Sequence, residues 1–117
     1  MKSTNNISTP GEPYERSRIV GIKKYIVDNL NRDLSAFVVA SQFEMSVSSL
    51  QHIFQKYQGR SYHKYVEDMR MVRAFDLITK EGMRIQQAMF ASGYKYKSTF
   101  NKSFKRRYGH SPSYYKK

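Results

Sequence analysis

Apolar positions in this chain recur at three- and four-residue steps between short polar turns, a pattern that predicts helices throughout. Ile19, Ile22, Tyr25, Ile26 and Leu30 form one face of a helix from about Ser17 to Leu30, which Asn31, Arg32 and Asp33 end. Ser35 stands where an N-cap belongs, before a short, mostly buried helix of Phe37, Val38, Val39 and Ala40 that ends near Gln42. Ser46 caps the next helix, to about Tyr57. There Leu50, Ile53, Phe54 and Tyr57 face inward, Ser48, Gln51, His52 and Gln55 face outward, and Gly59 closes the helix. The longest helix starts at Ser61 and runs to about Lys80. Tyr65, Met69, Val72, Phe75 and Ile78 mark its stripe, broadened by Tyr62, Val66, Ala74 and Leu77.

Two further helices are predicted over 84–91 and 97–108. Ile85, Ala88 and Met89 line the first, and Gly93 takes a left-handed turn after it. In the second, Phe100, Ser103, Phe104 and either Arg107 or Tyr108 point inward, while Lys97, Ser98, Asn101, Lys102 and Lys105 point outward. Ser111-Pro112 opens a last short turn. Residues 1–16, rich in Ser, Thr, Asn and Pro, read as a disordered leader.

The second half of this pattern repeats the first. Ser48, Phe54, Gly59, Ser61 and Tyr65 are answered fifty positions later by Ser98, Phe104, Gly109, Ser111 and Tyr115. Leu50 corresponds to Phe100, Gln51 to Asn101 and Lys56 to Arg106. Two copies of one helical device at a fixed separation suit a periodic ligand. The helix over 61–80 would be roughly 30 Å long at 1.5 Å per residue. That is close to the roughly 34–36 Å between successive major grooves on one face of B-DNA.

Charge sharpens this reading. The formal net charge is +12, and residues 83–117 hold nine Lys or Arg and no acidic residue. A polyanionic partner follows, gripped most strongly by the C-terminal third. The chain has no Cys, which excludes disulfides and thiolate metal sites. His52, His63 and His110 lack the spacing of a zinc site, so no metal or other cofactor is expected. No nucleophile–base pair or phosphate loop suggests an enzyme, and no apolar run is long enough for a membrane span.

Helix, tight turn and polar-faced helix, twice over, is the helix-turn-helix arrangement. The segments R-M-V-R-A-F-D-L-I from Arg70 and G-Y-K-Y-K-S-T-F-N-K-S-F-K-R-R-Y-G-H-S-P-S-Y-Y from Gly93 resemble the AraC/XylS family of bacterial transcription regulators. The resemblance covers about residues 18–116. It implies an all-α fold of seven helices: a first helix-turn-helix subdomain over 17–60, a linker helix over 61–80 and a second subdomain over 83–117. It further implies that two recognition helices enter adjacent major grooves of promoter DNA, generally with an asymmetric site and some bending. Most family members activate transcription through RNA polymerase, which places this chain in the bacterial cytoplasm, on the nucleoid.

Carried over by position, base-edge contacts fall on Ser48, Gln51 and His52 in the first copy. In the second they fall on Lys97, Ser98, Asn101 and Lys102. Gln51 and Asn101 each have the paired donor and acceptor that adenine N6 and N7 require, and Lys102 can donate to guanine O6 and N7. Phosphate contacts are expected from Lys56, Arg60, Lys64, Lys80, Arg84, Lys105 and Arg106, and from helix N-termini at Ser46 and Ser98. Arg70 and Arg73 are expected to form ion pairs with Glu67, Asp68 or Asp76. The sequence departs from the family pattern at His52 (often Arg), Met89 (often a small residue) and Glu44 (often Gly). The alternative to a sequence-specific regulator is an architectural protein that binds DNA by charge alone. A third reading is a protein-interaction or membrane-surface module.

Overall fold

The computed structural model describes residues 12–117, which form seven helices and no strand. They are α1 Glu12–Asp28, α2 Ala36–Gln42, α3 Val47–Gln58, α4 Tyr62–Thr79, α5 Ile85–Ala91, α6 Lys97–Tyr108 and α7 Pro112–Tyr115. The all-α, seven-helix expectation holds. The first helix, however, begins at Glu12, not Ser17, so part of the expected leader is helical; residues 1–11 lie outside the described residues. A tertiary contact that composition does not reveal holds this extension. The Glu15 carboxylate accepts from Lys56 Nζ at 3.0 Å and from Tyr57 Oη at 3.2 Å, both on α3.

Two apolar cores form, and α4 supplies both. Ile22, Ile26, Val39, Leu50 and Phe54 surround Tyr62 and Val66 in the first. Ala88, Met89, Phe100 and Phe104 surround Met71, Ala74, Leu77 and Ile78 in the second. At about 100° per residue, the buried stripe moves roughly 140° around the helix between its two halves. A single stripe therefore does not describe α4. Val72 is exposed, and Met69 and Phe75 are only half-buried, against expectation, while Tyr62 and Met71 are fully buried. Phe37 is another correction: it is 71% exposed, because the seven-residue α2 buries only the face of Ala36, Val39 and Ala40.

The capping serines divide. Ser46 accepts from the Ser49 N–H at 3.0 Å and Ser61 from the Lys64 N–H at 3.2 Å, as expected. Ser35 occupies the N-cap position of α2 without a side-chain cap bond. Its own N–H donates to Asp33 at 2.9 Å, and that bond holds the Asp33 carboxyl below its ordinary range. The N-cap of α6 is Tyr96, two residues before Ser98, so Ser98 lies inside the helix.

Ion pairs fasten α6 to the middle of α4. Arg106 reaches Glu67 at 3.1 Å and Arg107 reaches Asp68 at 3.0 Å. On the other side Lys64 meets Glu67 at 3.1 Å and Arg60 meets Asp68 at 2.8 Å. Burial pushes the Glu67 carboxyl up. The hydrogen bonds from Lys64 and Ser103 and the Lys64 and Arg106 charges outweigh it, so the net displacement is downward. With these carboxylates taken, Arg70 forms no ion pair among the described residues. Its guanidinium donates instead to the carbonyls of Leu30 and Arg32, at 3.1 and 3.0 Å. Arg73 is exposed.

Glu44 holds a φ of 56°, at the place in the first helix-turn-helix that Gly93 fills in the second with a φ of 100°. Glu44→Gly should therefore stabilise the protein by about 0.5–1 kcal/mol net of the added chain entropy. That amounts to a rise of roughly 3–6 °C in a thermal melt, and a fall would contradict the strain. The folded pKa of Glu67 lies below its ordinary 4.5, so its contribution is complete above that value and is lost as pH falls through the folded value. Wild-type protein should thus lose more thermal stability than Glu67→Gln between neutral pH and about pH 3; parallel losses would show that Glu67 is not a titrating anchor.

Candidate nucleic-acid interface

The two second helices, α3 and α6, bury and expose the same positions except one, where half-buried Tyr57 is answered by exposed Arg107. Leu50 and Phe54 are buried on α3 where Phe100 and Phe104 are buried on α6. Ser48, His52, Gln55 and Lys56 are exposed, as are Ser98, Lys102, Lys105 and Arg106 fifty residues on. Gln51 and Asn101 are both half-buried. Each amide thus stands at the edge of its helix's outer face, where a restricted side chain loses less freedom on forming paired bonds. One buried pair differs in chemistry: Ile53 answers Ser103, whose hydroxyl lies close to the Glu67 carboxylate and the Tyr94 hydroxyl.

The structure sorts the expected cations. Lys56, Arg60, Lys64, Lys80 and Arg106 all lie in ion pairs, with Glu15, Asp68, Glu67, Asp76 and Glu67 respectively. Only the Lys80–Asp76 pair is exposed on both sides and individually weak; in the others the carboxylate is partly buried, which holds the cation within the protein more firmly. By contrast, Lys97, Lys102, Lys105 and Arg84 make no ion pair among the described residues. Lys97, Asn101 and Lys105 fall at four-residue steps, which puts them on one side of α6. Two of them, Lys97 and Asn101, line a groove of about 520 Å³ between α5, α6 and α7, with Gln86, Ser111 and Ser113 on its other walls.

Of the two expected N-terminal sites, Ser46 remains a cap, its hydroxyl also bonded to that of Ser49 at 3.0 Å. The N-terminus of α6 has no side-chain cap. Its first N–H groups belong to Lys97, Ser98 and Thr99, all exposed, and such groups favour an anion. Lys95 and Tyr96 extend the same surface and were not among the expected contacts. Tyr96 is 71% exposed. The Lys-Tyr-Lys run just ahead of the helix was their signal in the sequence.

Among the described residues no cluster of His, Cys, Asp or Glu is arranged to hold a metal, and no helix is long and apolar enough to cross a membrane.

Comparison with known proteins agrees with this architecture. A family described as "Helix-turn-helix domain" matches residues 39–117. The probable transcriptional regulator LumQ of Photobacterium leiognathi is 30% identical over 101 residues, spanning 86% of this chain and 41% of that protein. The chain therefore spans less than half the length of that curated relative. An AraC-type transcriptional regulator from Chromobacterium violaceum has the same fold, with a TM-score of 0.77 at 20% identity over 87% of this chain and 91% of that one. The DNA-binding domain of the global transcriptional factor AdpA, solved in complex with a target DNA, shares it too, with a TM-score of 0.78 at 16% identity over 83% and 87%. The paired helix-turn-helix units, the C-terminal motif and the family match lead to one conclusion: this chain belongs to the AraC-type helix-turn-helix family of transcription regulators, a DNA-binding and non-enzymatic class.

Proposed function

We propose that this chain binds double-stranded promoter DNA sequence-specifically, with α3 and α6 in adjacent major grooves, and activates transcription by presenting a surface to RNA polymerase. The observation that carries the reading is the duplicated exposure pattern of α3 and α6. Charge alone would require only a basic surface, and α3 has just one basic residue besides His52. The AdpA domain, which shares the fold, takes up a target DNA, and that supports the same use here. Activation is the direction the family resemblance implies. The two subdomains are taken as 17–60 and 83–117, with the linker between them.

Roles follow from exposure and pairing. Ser48, Gln51, His52, Lys97, Ser98, Asn101 and Lys102 read base edges, while Lys105, Arg84 and the uncapped start of α6 hold phosphate. Lys56, Arg60, Lys64, Lys80, Arg106 and Ser46 are backbone contacts of lower weight, because each is already bonded within the protein.

Selection of bound fragments from a random duplex library tests the reading. A recovered site spanning about two helical turns, retained under excess random competitor, is the expected result. No preferred site would favour the architectural alternative. Asn101→Ala should lose about 1–3 kcal/mol of discrimination at a single base pair of that site, measured against point-substituted duplexes. A uniform loss across all sequences would make Asn101 a backbone contact. The double variant Lys102→Ala/Lys105→Ala should lower the slope of log affinity against log salt by about 1–2, and Gln51→Ala/Lys56→Ala by less than about 1. Equal slopes would contradict the stronger anchoring assigned to α6.

A further inference from the structure

Two side chains of α4 occupy three carbonyl oxygens of the segment joining α1 to α2. Tyr62 Oη donates to Leu34 O at 2.7 Å, and Arg70 donates from Nε to Leu30 O and from Nη2 to Arg32 O. Tyr62 is fully buried, and burial pushes its hydroxyl far above the ordinary range. The Arg70 guanidinium is half-buried, and charge-assisted bonds to two carbonyls offset the loss of hydration. Leu30 and Leu34 are buried members of the first core, so this segment is anchored from within.

The turn of the second helix-turn-helix seats on the same spot. A Cβ added to Gly93 would collide with the Leu30 carbonyl oxygen and lie 2.7 Å from Arg70 Nε. Glu44 carries a full side chain at the matching turn of the first unit, but at a φ of 56°; Gly93, at 100°, needs glycine both for its backbone and for this close approach. The bare backbone of Gly93 is therefore what lets the second unit touch the first. Tyr94, next in the chain, packs against Phe100 with ring centroids 5.5 Å apart and carries the contact into the second core.

We propose that Arg70 and Gly93 are positioning residues that set the angle between the two helix-turn-helix units, so that the spacing of the DNA half-sites depends on this junction as well as on the length of α4. The angle concerns the free protein; the spacing rests on the DNA-binding reading above. α4 needs such a brace. Helices of this length curve readily, and a bend of about 10° in a rod of roughly 27 Å moves its far end by a few ångström. That is comparable to the rise of about 3.4 Å between successive bases along one strand.

The chain has no Cys, so spin labels can be placed at will. Labels at Val20→Cys on α1 and Gln87→Cys on α5, both exposed, report the distance between the units by double electron–electron resonance without DNA. Wild type should give one narrow distribution. Arg70→Met and Gly93→Ala should broaden it or shift it by several ångström, with far-ultraviolet circular dichroism showing that the helices persist. Arg70→Lys keeps the charge and stem without the two-pronged donor; it covers the case in which Arg70→Met does not fold, and it too should broaden the distribution. Wild-type width in the folded Arg70 variants would overturn the proposal.

The second arm uses a duplex carrying the selected site, with or without one extra base pair between its halves. Wild type should lose roughly tenfold in affinity on the insertion and Arg70→Met no more than about threefold. Equal losses, with altered distances in the free protein, would overturn the spacing claim alone. Absence of any preferred site for wild type would overturn the DNA-binding reading, while the free-protein distances would still decide the angle.

Discussion

A helix that carries two cores on different sides of itself needs something besides its own backbone to hold them at one angle, and here that is the guanidinium of Arg70. It lies where the first core ends at Val66 and the second begins at Met71. Its two donor groups hold carbonyls of the first unit, and Gly93 of the second unit closes on the same Leu30 carbonyl. The junction is polar, and polar contacts are directional where apolar ones are not, which suits a part whose task is orientation. The ion pairs of Arg106 and Arg107 with Glu67 and Asp68 lie one helical turn away and fix α6 itself to the same stretch of α4.

This arrangement explains how one repeated device acquires two characters. Both second helices expose the same positions, that of Arg107 apart, but the second exposes lysines where the first exposes His52 and Gln55. The first unit spends Lys56 on Glu15 and on anchoring the start of α1; the second leaves Lys97, Lys102 and Lys105 outside any ion pair among the described residues. One copy is thus suited to reading by neutral side chains, and the other adds most of the long-range attraction for a phosphate backbone.

Much of the fold is legible in the sequence, because the repeat, the caps at Ser46 and Ser61 and the closing glycines act locally. The inner faces of α3 and α6 were read correctly from spacing alone, since a helix with one core has one stripe. Spacing misleads on α4 for the converse reason: its buried face changes sides midway, and Val72 falls on the stripe that periodicity favours yet is exposed. Phe37 was misplaced because an apolar run in a two-turn helix looks buried all round, whereas only one face of it finds a partner. Sequence proximity suggests nearby carboxylates as the partners of Arg70. Its true acceptors lie some forty residues away, and only the fold brings them there. The helical turns before Ser17 were missed for the same reason, resting on Glu15 and its partners on α3.

The duplicated surface requires that two grips act together on one face of a duplex. Hydroxyl-radical footprinting of the purified chain on its selected fragment addresses it most directly. Two protected stretches, their centres about one helical turn apart and on the same face, are the predicted result. Protection of one stretch only, or of stretches on opposite faces, would contradict it.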